Sequence, residues 1–164
     1  MKTRLLAAAA FALMLASPSL AQQMSAEEFA TTAASSDMFE ITSSSLARER
    51  ATSEAVKDFA NMMIADHTQA SSELAAAAET AGVALPGGMI DKHAAQVETL
   101  KGLQGAEFDA AYIEAQTAAH EEALALMEGY AESGDNEALK AHAQKTAPII
   151  ERHAEHVKEL GSGG

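Results

Sequence analysis

Six histidines and no cysteine stand in this chain of 164 residues. Three of the six fall where an apolar helix face would carry a leucine. In "MMIADHTQASSEL" (62–74), His67 sits in the stripe Val56, Ala60, Met63, His67, Ala70, Leu74, which repeats every three or four residues. His153 lies in a second such stripe, with Leu139, Thr146, Ile149, Ile150, Val157 and Leu160. His120 shares a face with Ile113, Thr117, Leu124 and Met127, while Phe108, Tyr112, Ala115 and Ala119 line the neighbouring face. Glu40 interrupts "DMFEI" (37–41) on a line with Phe29, Ala33 and Ser36. An inward imidazole can bind a transition metal through a ring nitrogen or close a buried hydrogen-bond network.

For a metal, neutral imidazoles and one carboxylate suit zinc, copper or iron in a tetrahedral or open site. Glu40, His67 and His120 are the nominated ligands, with His153 as a fourth candidate. Asp66 lies about 100° round the helix from His67, so it faces outward or orients a ligand from outside the coordination sphere; Tyr112 is nominated for the same outer role. A di-iron carboxylate bundle needs Glu-x-x-His on two helices. Here the residues three before His67, His120 and His153 are Ile64, Thr117 and Ile150, which argues against that centre. Without cysteine, thiolate metal sites, iron–sulfur clusters and thiol catalysis are excluded.

The elements that must position these groups read as helices. Alanine is abundant, and past residue 21 the only prolines are Pro86 and Pro148. "SAEE" (25–28) has the form of a capping box opening a first helix over 26–50. Thr52 and Ser53 can cap a second over 54–81, stopped by Gly82. "GVALPGG" (82–88) breaks the chain, and a shorter helical piece follows over 89–103. The third long helix spans 106–132, then "SGDN" (133–136) turns the chain with Asp135 as a candidate cap. The fourth runs to 160, bent at Pro148. Four long amphipathic helices predict an all-α, ferritin-like four-helix bundle. The segment between the second and third long helices is far longer than a tight turn needs, so it is expected to be a crossover containing a short helix.

Counting 1.5 Å per residue from the first turn, Glu40 lies roughly 18 Å down and His67 roughly 22 Å down. With a crossover, His120 lies roughly 22 Å below the start of its own helix, and His153 falls short of that level by roughly 10 Å. Three groups are thus expected to meet, with the fourth offset. His93, His142 and His156 are expected to be solvated surface residues.

The N-terminus reads as an export signal: Lys2 and Arg4, then an apolar run over 5–16, then small residues before a cut at Ala21/Gln22. Residues 1–21 are therefore assigned to a signal peptide, 22–160 to the bundle and 161–164 to a flexible tail, with the periplasm as the expected location. Removing Lys2 and Arg4 takes the formal charge from −13 to −15. Such a chain repels nucleic-acid phosphates and anionic lipid, and no segment after the cut reads as a membrane span. No serine elbow or phosphate-binding glycine loop is present, so catalysis is not indicated.

The order of "FEI" (39–41), "FANMMIADH" (59–67), "FDAAYIEAQTAAHEEAL" (108–124) and "APIIERH" (147–153) resembles the exported bacterial family known as domain of unknown function 4142. The resemblance covers nearly all of the chain past the signal. It implies a ferritin-like four-helix bundle and no settled activity. Three functional readings stay open: one transition metal held by inward His and Glu in metal or stress handling, a structural polar core of Glu40, His67, Tyr112 and His120, or an envelope interaction protein whose partner no exposed motif reports.

Overall fold

A computed structural model describes residues 24–163. Within them lie five helices and no strands: α1 (Ala26–Arg50), α2 (Glu54–Ala81), α3 (Asp91–Lys101), α4 (Gly105–Ser133) and α5 (Glu137–Gly161). The expected signal peptide lies outside the described residues. Among these, no helix is long and apolar enough to cross a membrane.

The ends of the helices follow local chemistry. Ser25 and Glu28 form the capping box, each side chain taking the other's backbone N–H at 3.1–3.2 Å. Gly82 adopts φ 71°, the left-handed conformation that closes α2 and lets the Val83 amide reach the Ala78 carbonyl. The cap of α5 is Asn136, whose Oδ1 accepts from Ala138 and Leu139, and not Asp135. Asp135 instead accepts the Tyr130 hydroxyl at 2.8 Å. Asp109 of α4 takes the amides of Thr52 and Ser53, fastening the α1–α2 turn to the start of α4.

The four long helices pack around an interior with three levels. One apolar cluster gathers Phe29, Leu74, Tyr130 and Leu139; another gathers Phe59, Met63, Phe108, Tyr112 and Val157. Each large side chain of these clusters contributes roughly 2–3 kcal/mol by leaving water. Between them in sequence, on all four long helices, fall the buried polar residues Asp37, Glu40, His67, Gln116, His120, Thr146 and His153. The bundle therefore stacks two apolar halves on a polar layer.

Cross-helix pairs set the register. Along α1 and α4, Ser44 meets Tyr112, Ser43 meets Gln116 and Phe29 stacks on Tyr130, so one number falls as the other rises. Along α2 and α5 the same holds for Glu73 with Lys145, Asp66 with His153 and Phe59 with His156. The short α3 is tied to α1 by Ser35, whose Oγ accepts the Ile90 amide at 2.9 Å and pairs with His93 Nδ1 at 2.7 Å.

Two sequence expectations about histidines change here. His93 and His142 are buried, at 6% and 7% exposure, and only His156 stays at the surface. His93 packs on Phe39 as the first member of a face that continues through Val97 and Leu100. His142 sits beside the buried Ala143 on the inward stripe of α5.

Candidate metal centre

The polar layer is built from one or two residues of each long helix. His67 comes from α2, His120 from α4 and His153 from α5, and the three ring centroids stand 5.5–5.8 Å apart. All three side chains are buried, and one ring nitrogen of each lies within 4.8 Å of the other two.

The opposite nitrogens are all occupied. His67 Nδ1 lies 2.8 Å from Asp37 Oδ1, His120 Nδ1 lies 2.9 Å from the Gln116 carbonyl, and His153 Nε2 lies 2.9 Å from Asp66 Oδ2. Carboxylate and carbonyl oxygens accept, so each of these ring nitrogens carries the hydrogen and donates. In a neutral ring the lone pair then belongs to His67 Nε2, His120 Nε2 and His153 Nδ1. Those three atoms are buried and have no hydrogen-bond partner.

Leaving such atoms unpaired costs on the order of 1–3 kcal/mol each, whereas a metal ion would satisfy all three at once. Metal-bound histidines characteristically donate their second N–H to a carboxylate or carbonyl, which fixes the ring and raises its basicity. At metal–nitrogen distances of 2.0–2.1 Å a tetrahedral site needs nitrogens about 3.3 Å apart. The rings must close in by up to roughly 1.5 Å to reach that spacing.

Glu40 occupies a different place from the three nitrogens. Its carboxyl is 1% exposed, with Oε1 3.9 Å from His120 Nδ1 and Oε2 without a partner. It therefore stands beside the face of His120 that already donates to Gln116, outside the trio. Burial pushes its pKa up to about 7, while the charge of His67 and the Gln116 amide pull back. Burial also holds His120 down to about 3, reinforced by the neighbouring His67, so this contact is not an ion pair at neutral pH. His153 is lowered too, by burial first, against the pull of Asp66. His67 goes the other way: burial would lower it, but the bond to Asp37 and the charges of Glu40, Asp37 and Asp66 raise it.

The other sequence nominations are placed as follows. Asp66 is half-exposed and touches His153, one helix away, rather than His67 beside it in the chain. The Tyr112 hydroxyl pairs with Ser44 at 2.8 Å, and its ring rests on Phe59 and Phe108; it bonds none of the imidazoles. His153 joins His67 and His120, and the expected offset of 10 Å disappears. The reason is that the helices do not end flush. A Cβ on Gly161, at the end of α5, would lie 3.2 Å from Ile113, eight residues into α4. The α5 terminus thus stops about 12 Å inside the end of α4, and His153 is deeper by that amount.

Sequence reasoning missed Asp37 and Gln116. Asp37 precedes Glu40 by three residues and Gln116 precedes His120 by four, spacings that put each on its neighbour's helix face.

A family model described as "Domain of unknown function (DUF4142)" matches residues 12–160 of the chain. No curated protein and no solved structure matches it.

Proposed function

The chain belongs to the DUF4142 family, a membership that assigns no chemistry, and from the site itself we propose that it binds one divalent transition-metal ion through His67, His120 and His153. The observation that carries this reading is that three buried imidazoles each bring a ring nitrogen within 4.8 Å of the others, and each keeps one nitrogen unpartnered while an acceptor holds the opposite one. A structural polar core would be expected to pair its groups with one another. Glu40 Oε2, Gln116 Oε1 and the three ring nitrogens are left without partners instead.

The ligand atoms are His67 Nε2, His120 Nε2 and His153 Nδ1, oriented by Asp37, the Gln116 carbonyl and Asp66. Glu40, Asp37 and Asp66 supply negative charge around a dication, and Glu40 can become a further ligand if its side chain turns from His120. Nitrogen donors without thiolate suit zinc or copper, and iron if Glu40 joins. Nothing in the layer resembles a bridging carboxylate pair, so the centre is mononuclear. Its role is metal or stress handling after export to the periplasm, the latter resting on the signal-like residues 1–21.

The ferritin-like crossover is part of this proposal. It is supported by the antiparallel pairings of α1 with α4 and of α2 with α5, and by Asp109 reaching the α1–α2 turn. Together these favour α2 and α4 running the same way, with α3 in the connection returning along the bundle.

Metal analysis of untagged protein after loading with zinc, copper(II) or iron(II), beside His67→Ala and His120→Ala, tests the centre. One ion per chain, lost in both folded variants, is expected. A wild type that retains no metal under any loading overturns the reading and leaves a structural core.

A further inference from the structure

Three imidazoles exposed by 4% or less cannot take a metal directly from solution. Some path must cross the helix wall. Between α2 and α5 lies a cavity of about 140 Å³ whose lining includes both His67 and His153. Its sides are apolar at Ala70, Ile149 and Ile150, and it is bordered by Asp66, Glu73 and Arg152.

We propose that this cavity is the port through which a divalent transition-metal cation enters, with Asp66 as the carboxylate that takes it first and hands it to His153. The inference rests on the metal-binding reading above. Two independent observations support it. First, the unpartnered nitrogens His67 Nε2 and His153 Nδ1 belong to the two buried residues that the cavity reaches. Second, Asp66 is the group that joins outside to inside: its side chain is 43% exposed while Oδ2 is bonded to His153 Nε2.

Charge and size fit a partly hydrated cation. Glu73 is already engaged by Lys145 and Gln69, and the Arg152 guanidinium donates to the Pro148 carbonyl. Among the described residues Asp66 forms no ion pair with a lysine or arginine, and its Oδ2 lies 2.9 Å from His153 Nε2. It is therefore the available anion at the mouth. A cavity of about 150 Å³ accommodates a molecule as large as benzene, so a metal ion with several waters fits in the space observed. The apolar side walls offer no competing ligands, and the ion sheds water only where imidazole nitrogens replace it.

The test separates the port from the centre by measuring rates as well as equilibrium content. Metal-free wild type and Ala70→Phe are mixed with cobalt(II) in a stopped-flow instrument, and uptake is followed by the visible absorption of the bound ion. The added ring narrows the cavity while leaving all three proposed ligands and Asp66 in the sequence. Loading is expected to slow at least tenfold in Ala70→Phe, with the final content still one ion per chain. Ala70→Leu, a smaller obstruction that a helix accepts easily, is expected to fall between the two and keeps the test valid if the phenylalanine perturbs folding. Chelator-driven release should slow in parallel, because a narrowed port obstructs both directions. Equal loading rates in wild type and both variants overturn the port while leaving the centre intact. No cobalt, zinc or copper in the wild type at equilibrium overturns the centre, and the port with it.

Discussion

Glu40 makes the metal-free protein less stable as pH rises, and the size of that effect can be worked out. Its carboxyl titrates at about 7 in the fold, against 4.5 for the ordinary group. Between those values the folded chain holds a proton that the unfolded chain has lost. Stability therefore falls as pH rises through this window and stays low above it. At about 1.4 kcal/mol for each tenfold change in proton affinity, ionised Glu40 costs the metal-free fold about 3 kcal/mol at pH 8 and almost nothing below pH 4. Glu40→Gln keeps the shape of the side chain and removes the ionisation. Urea unfolding of chelator-treated protein, followed by circular dichroism from pH 4 to 8, is expected to show the variant about 3 kcal/mol more stable at pH 8. The two curves should converge at the acid end. With metal bound the order should reverse, because only the carboxylate answers the charge of a dication. A metal-free variant less stable than wild type at pH 8, or a gain that is the same at pH 4, would refute the assignment of Glu40 as a buried, uncompensated acid.

Other perturbations have equally definite outcomes. Asp37→Asn removes the anion that orients His67 and should weaken metal binding by about 10- to 100-fold with the fold intact, measured by competition against a chromophoric chelator. His120 is held down to about 3 in the fold, so stability is lost as pH falls from 6.5 towards 3, by up to about 5 kcal/mol. His120→Gln should flatten that acid limb in metal-free protein and abolish metal binding. Ser35→Ala deletes both bonds that fasten α3 to α1 and should cost about 2 kcal/mol in urea unfolding while metal content stays at wild-type level.

Much of the architecture was readable because local signals agreed with one another. Ser25 with Glu28, Ser53 and Gly82 mark helix ends by their own side chains or by the lack of one, and the observed bounds fall within a residue or two of those expected. The polar layer was readable only in part. His67 stands in an otherwise apolar stripe and so announces itself, whereas Asp37 lies among serines and alanines that provide no apolar contrast. The depth of His153 depended on where α5 ends relative to α4, a property of packing that no single helix encodes. His93 is less legible because its helix is only 11 residues long, so His93, Val97 and Leu100 make up its whole buried face. His142 is expected at the surface because its stripe neighbour Ala143 is too small to mark an apolar face from sequence.

The polar layer draws on all four long helices, from Asp37 near the start of the chain to His153 near its end. Contacts so distant in sequence form late, because each requires the closure of long intervening loops. An ion at the proposed centre would therefore act late in folding, and a chain truncated before α5 would lack His153. Binding to the native state alone slows unfolding far more than it speeds folding. Metal supply would then set the lifetime of the finished protein while leaving its rate of production almost untouched.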